Sequence, residues 1–332
     1  MSPSRAQGLR SLVGQRFIDS ALDIQHSRSR RHVGQFALAA TRRALLGERD
    51  PVITRQVGDV TIAMPLSHRL PDYLARYQNY GANLVRLSKF LAEREPDLTI
   101  IDVGANVGDT VAQLRTVTSA PVLCVEADDR YFSLLEVNAP VLGDVVCVQS
   151  FLGRSASVIA GAIARAGGTG HLVAGDSAIA LEPLDEVVAR TPGFERARLL
   201  KIDVDGVDFE VLAGATALLR RARPVLFLEY DPTLVAAQGF DARASLDWLR
   251  DVGYGSFVAY DNVGDMALTG SLDDARLLDD LHDYVAAKRS MMFWDLAVFH
   301  RSDEALFVTF ASSERAVRES MTTQIERGDS VR

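Results

Sequence analysis

The stretch Thr99-Ile-Ile-Asp-Val-Gly-Ala-Asn-Val-Gly-Asp-Thr110, read together with Leu123-Cys-Val-Glu-Ala-Asp128, decides the fold. The apolar run from Leu98 to Val103 reads as a parallel strand buried on both faces. It ends in Asp102 and a glycine-rich turn. Asp109-Thr-Val-Ala-Gln-Leu-Arg115 then carries helical spacing, and a second apolar strand closes on Glu126. A strand, a glycine turn, a helix and an acid at the end of the next strand describe a nucleoside-binding βαβ unit.

The identity of the nucleoside follows from what the turn lacks. A dinucleotide fingerprint places three glycines so that the backbone can approach a pyrophosphate. Here Gly104 and Gly108 are present, but Asn106 stands at the middle position. A side chain there obstructs a diphosphate, while its amide can hydrogen-bond a smaller polar ligand. Asp102, just before the turn, also disfavours phosphate and favours a cationic group. S-adenosylmethionine meets these conditions, with a ribose diol for Glu126, no phosphate, and ammonium and sulfonium charges. A turn serving only backbone geometry is the blander alternative. Four agreeing features within one unit of ~30 residues weigh against it.

Composition narrows the class. At 332 residues, 48% hydrophobic and 24% charged, the chain has the make-up of a soluble globular protein with room for one large domain and extensions. No apolar run reaches the ~18 residues of a membrane span. Asp19 and Asp23 interrupt the apolar residues near the N-terminus, so no signal-peptide core is expected there. Cys124 and Cys147 fall in predicted strands and read as buried thiols, which makes a reducing cytoplasm the expected compartment. The net charge of −8 argues against general nucleic-acid binding. That charge is uneven: residues 1–50 hold nine arginines against four acids, about +5. Leu9, Leu12, Val13, Phe17 and Ala21 form a rough helical stripe in this arm. It reads either as a peripheral membrane or partner contact, or as a helical lid or dimer element with a solvated basic face.

Residues 52–64 read as a β-hairpin turning at Gly58-Asp59, and residues 72–92 as one helix. From Leu98 the pattern alternates. Strands are expected near 98–103, 121–126, 144–149, 198–204, 224–230, 254–260 and 292–300. Helices are expected near 109–118, 129–138, 184–190, 207–221, 241–252 and 273–289. This order specifies a doubly wound seven-stranded sheet, its last strand antiparallel. The expected organisation is a helical and hairpin extension over 1–94, a nucleoside-binding domain over 95–302 and a polar tail over 303–332.

Ligands of such sheets sit at the carboxyl ends of the strands. The fourth strand, Leu199-Leu-Lys-Ile-Asp-Val-Asp-Gly206, places Lys201, Asp203 and Asp205 on one face of an otherwise apolar segment. Such charges need a partner or a use. A purely structural Lys201–Asp pair is the simpler account. The fifth strand ends Leu228-Glu-Tyr-Asp231.

Asp102-Val-Gly-Ala-Asn-Val-Gly-Asp109, Val125-Glu-Ala-Asp128 and Leu200-Lys-Ile-Asp-Val-Asp-Gly-Val-Asp-Phe-Glu-Val-Leu-Ala-Gly-Ala215, trailed by Pro224-Val-Leu-Phe-Leu-Glu229, resemble the FkbM family of class I methyltransferases. The resemblance covers about residues 98–262. It implies a Rossmann-like fold and S-adenosylmethionine-dependent O-methylation of hydroxyls on polyketide-type natural products or glycan sugars. Asp205 and Asp208 replace the family's usual glutamates, and Ala127-Asp128 its usual Pro-Asn. Asp102, Gly104, Asn106, Gly108 and Glu126 are the expected cofactor-binding residues. Asp203 is the expected general base, with Lys201 orienting it or the substrate oxygen. His171, in a glycine-rich insertion, is the alternative base, and residues 150–182 are expected to build the acceptor pocket together with the N-terminal arm. Asp203, Glu229 and Asp231 have the topology of a magnesium site in some class I O-methyltransferases, although the FkbM resemblance implies no metal. A catalytically inactive scaffold and an NAD-dependent oxidoreductase are the readings from other classes. The intact Asp102, Asn106, Glu126 and Asp203 set argues against the first, and Asn106 against the second.

Overall fold

The computed structural model describes residues 50–289 and 291–326. The basic stripe and most of the arm that carries it lie outside these residues. Val52–Val57 (β1) and Val60–Pro65 (β2) pair as the expected hairpin. Residues 72–92 form two helices instead of one, Leu70–Arg76 (α1) and Ala82–Ala92 (α2). Gly81 at φ +73 separates them, a left-handed conformation that a continuous helix cannot contain.

The alternating region follows in the order Ile100–Val103 (β3), Asp109–Leu114 (α3), Val122–Glu126 (β4), Asp129–Leu142 (α4) and Val145–Gln149 (β5). The long insertion comes next. Phe151–Leu152 (β6), Ser157–Ala166 (β7) and Thr169–Glu182 (β8) make a separate three-stranded sheet in the order β6-β8-β7. Then come Leu184–Ala189 (α5), Leu199–Ile202 (β9), Asp208–Ala213 (α6), Thr216–Ala222 (α7), Val225–Tyr230 (β10), Pro232–Ala237 (α8) and Ala242–Asp251 (α9). The expected helix over 207–221 is split into α6 and α7 at Gly214. A Cβ there would come within 2.2 Å of the Gly153 carbonyl oxygen. Tyr254–Asp261 (β11), Met266–Ser271 (β12), Ala275–Ala286 (α10), Trp294–His300 (β13) and Glu304–Glu326 (α11) complete the described chain.

The main sheet has eight strands, in the order β12-β11-β13-β10-β9-β3-β4-β5. The eighth, β12, corrects the expected seven. Its Met-Ala-Leu-Thr-Gly-Ser sequence has neither a clear alternation nor a β-branched run, and it gains its place by pairing antiparallel with β11. Strands β10, β9, β3, β4 and β5 are parallel, and β13 is antiparallel to both β10 and β11.

Alternation along each central strand feeds two cores. Ile101, Val103, Leu200 and Ile202 face α5 through α10, where Val187, Leu212, Leu246 and Leu281 pack. Ile100, Cys124, Leu199 and Phe227 face the hairpin and α1 through α4, with Phe310 of α11. The result is a three-layer, doubly wound α/β architecture. Helix α11 buries Phe310, Ala311 and Glu314, and Glu314 takes a two-pronged hydrogen bond from Arg86 of α2. Cys124 is buried and Cys147, on edge strand β5, half-buried; both are free thiols. Among the described residues no helix is long and apolar enough to cross a membrane.

Candidate active site

A cavity of about 600 Å³ opens at the carboxyl ends of β3, β4 and β9, where the strand order changes direction. The turns after β3 and β9 are knitted into its floor. Gly104 has φ +76, and a Cβ there would meet the Asp203 carbonyl oxygen at 2.0 Å. Asn106, at φ +51, donates its backbone N–H to Glu126 Oε2 at 2.8 Å. The second Glu126 oxygen accepts the Asp128 N–H at 2.7 Å. Burial pushes the Glu126 carboxyl up to about 6, against the pull of these two donors. The Asn106 side-chain amide turns away to donate to Gly168 O at 2.8 Å.

Gly104, Asn106 and Glu126 line this cavity, as do Lys201 and Asp203. Asp102 and Gly108 do not. Asp102 is fully buried, with Lys201 Nζ 3.0 Å from its Oδ1. The cation expected opposite Asp102 is therefore a side chain of this chain, placed in register on the neighbouring strand. Gly108 (φ +85) caps α3, where a Cβ would strike Leu142 Cδ1 at 2.5 Å. It serves helix packing.

Lys201 is itself buried. Its ammonium donates to Gly104 O at 3.1 Å and lies 3.4 Å from Asp203 Oδ2. Burial alone would lower its pKa, but Asp102 and Asp203 outweigh that and raise it, so the lysine stays charged. Asp203 is half exposed to the cavity, its side chain 48% accessible.

The neighbouring acids divide the remaining work. Asp208 is buried and accepts the backbone N–H groups of Val204 and Gly206, bracing the turn after β9. Asp205 stands at φ +54, 3.2 Å from His171 Nδ1, and His171 Nε2 lies 3.1 Å from Thr169 Oγ1. Burial and then the Asp203 charge push both Asp205 and Asp208 up to about 7. His171 is not on the cavity wall, although Gly170 and Leu172 are.

Glu229 and Asp295 face one another across β10 and β13, on the same side of the sheet as Lys201. Asp231 does not join them, because it caps α8 by accepting from Thr233 and Leu234 N–H groups. Among the described residues no three His, Cys, Asp or Glu side chains are arranged to hold a metal ion.

The insertion over 150–182, expected to build the acceptor pocket, supplies two walls of the cavity, and its strands are what sequence reasoning missed. The first is Ser150, Phe151 and Leu152 after β5, which the strand-end rule could have supplied. The second is the β7–β8 hairpin, which contributes Ile159, Ile163 and Leu172. Its signal was the Gly167-Gly168 pair, at φ +65 and +100, the two-residue turn between Ala166 and Thr169.

Residues 102–255 match the Methyltransferase FkbM domain family. No curated protein matches the chain. Solved structures similar to it include the methyltransferase FkbM from Methylobacillus flagellatus, at 14% identity and TM-score 0.34. That alignment covers 48% of this chain and 39% of the other, less than two thirds of that relative's length. A SAM-dependent methyltransferase from Geobacter sulfurreducens, solved with S-adenosyl-L-homocysteine, aligns at 14% identity and TM-score 0.36, covering 67% of this chain and 93% of that one. Another from Thiobacillus denitrificans, solved with the same molecule, aligns at 13% identity and TM-score 0.36, covering 66% and 91%.

Proposed function

We propose, from the match of residues 102–255 to the Methyltransferase FkbM domain family, that the protein O-methylates a hydroxyl of a sugar, glycan or polyketide-type acceptor, with S-adenosylmethionine as donor. The supporting observation is one cavity that holds Glu126 on one wall and Lys201 with Asp203 on another.

The residues present fit that donor. Each Glu126 oxygen accepts one backbone N–H and keeps capacity for a ribose hydroxyl. Asn106 occupies the place where a pyrophosphate needs glycine, and its amide is committed to Gly168. Ser150 and Phe151 line the same cavity as Glu126. When bound, the donor supplies an electrophilic methyl group.

The chain's own residues do the rest. Asp203, exposed to the cavity, accepts the proton of the acceptor hydroxyl. Lys201, held between Asp102 and Asp203, fixes that carboxylate in position. Most of the barrier is removed by holding the acceptor oxygen in line with the methyl group. The catalytic unit is assigned to 95–302, with 1–94 and 303–332 flanking it.

Isothermal calorimetry tests the reading. The purified protein binds S-adenosylhomocysteine and not NAD. Binding of NAD without S-adenosylhomocysteine overturns it.

A further inference from the structure

Past Lys201 and Asp203 lies a second cavity of about 140 Å³, also walled by Asn83, Asn262, Glu229 and Asp295. Building on the proposed methyl transfer, we infer that this second cavity receives the hydroxyl-bearing head of the acceptor, with Glu229 and Asp295 as the carboxyls that hold it.

Position is the first argument. The two cavities share Tyr80, Asp109, Thr110, Lys201 and Asp203. A group seated in the smaller one therefore lies against the carboxylate assigned to take the proton.

Hydrogen-bonding capacity is the second. Among the described residues no hydrogen bond or ion pair reaches the Glu229 side-chain carboxyl, although it sits near the end of a buried strand. Asp295 has one partner, the Asn83 amide at 2.8 Å. Lys201 is already engaged by Asp102, Asp203 and Gly104. The groups left over are carboxyl oxygens, and their complement is a cluster of hydroxyls, which both donate and accept.

The charge balance points the same way. Burial, then Asp203, Asp208, Asp205 and Asp295, raise Glu229 well above the usual carboxylate range, and burial pushes Asp295 up to about 7. Lys201 faces them, with Tyr80 and Asp109 on the wall, and both shifts run in the direction that weakens the pull of these carboxyls on a cation.

Size is the third argument. Drug-sized ligands need roughly 300–1,000 Å³. A cavity of about 140 Å³ takes only the head of an acceptor, a diol or a single sugar-like ring, and the remainder projects outside.

The test uses saturation-transfer NMR with methyl glucopyranoside and methyl mannopyranoside as probes, on protein saturated with S-adenosylhomocysteine. Both give signals with the wild type. Glu229→Gln, which keeps the shape of the side chain, weakens them at least about tenfold and leaves S-adenosylhomocysteine affinity unchanged. Asn262→Ala, in the β11–β12 turn, weakens them as well and stands in should the first variant not fold. Absent probe signals in the wild type, or equal signals in wild type and variants, overturn the inference while donor binding upholds the proposed function. If Glu229→Gln weakens S-adenosylhomocysteine but not methylthioadenosine, the cavity holds the donor's amino-acid end, and the inference fails. Failure of the wild type to bind S-adenosylhomocysteine rejects the proposed function itself.

Discussion

At the scale of single residues, the proposed methyl transfer assigns donor binding to Glu126 and proton removal to Asp203. A buried acid raised to about 6 is ionised above that pH and neutral below it. As pH falls through 6 the protonated carboxyl loses acceptor capacity towards the ribose. S-adenosylhomocysteine affinity is therefore flat from pH 8 to 7 and weakens below 6, a step that Glu126→Gln removes. Glu126→Ala costs about 2–3 kcal/mol of donor affinity, as for hydrogen bonds to a charged group, and leaves the fold intact. Calorimetry across the pH range checks both. Asp203→Asn lowers turnover on the order of 10²-fold while donor affinity stays near wild type; full activity in this variant would assign the base elsewhere. Gly104, Asn106, Glu126, Lys201 and Asp203 were legible because strand ends and alternation place them at the site. Asp102 was legible as an acid in need of a cation. Its partner was not, because β3 and β9 are almost a hundred residues apart and only their register makes Lys201 the neighbour.

Among the secondary elements, the β7–β8 hairpin walls the cavity. Gly168 O is held by Asn106, and Arg69 N–H donates to Gly167 O. Arg165 reaches the buried Asp128 carboxylate at 2.6 Å and also contacts Asp129. Arg165 is over a third exposed, so the tether is weaker than a buried ion pair. Arg165→Ala accelerates S-adenosylhomocysteine dissociation roughly 3- to 10-fold, read by stopped-flow fluorescence, with little change in melting temperature. An unchanged dissociation rate means the hairpin does not control access. The element was hidden in the sequence because alanine and glycine fill both strands and give little β-propensity. A register shift between Gly161 and Ala162 then breaks the alternation. The hairpin of β1 and β2, rich in Val, Ile and Thr, was plain for the opposite reason.

At the scale of the whole molecule, the raised acids set the pH response of stability. Asp205, Asp208 and Asp295 titrate near 7 in the folded protein, and Glu126 near 6. The unfolded chain releases these protons near pH 4. Between those limits the folded state binds more protons, so stability falls as pH rises. Carboxylates held low by arginine, such as Glu182, act at lower pH, outside this window. The melting temperature therefore drops by several degrees from pH 5.5 to 8, measured by scanning calorimetry; a rise over that interval contradicts the assignment. The doubly wound sheet was legible because its parallel strands are short apolar runs punctuated by turns. The edge strand β12 and the breaks within the helices at 72–92 and 207–221 were not, since each depends on what lies alongside.

The small cavity has one further property. Tyr80 and Asn83 come before residue 102, and Asn262, Phe293 and Asp295 come after residue 255, so its walls straddle the limits of the segment that matches the family. On the proposed function, substitutions in the flanks can reshape the acceptor cavity without touching Glu126, the residue assigned to the donor, so acceptor choice and donor binding are separable by position along the chain.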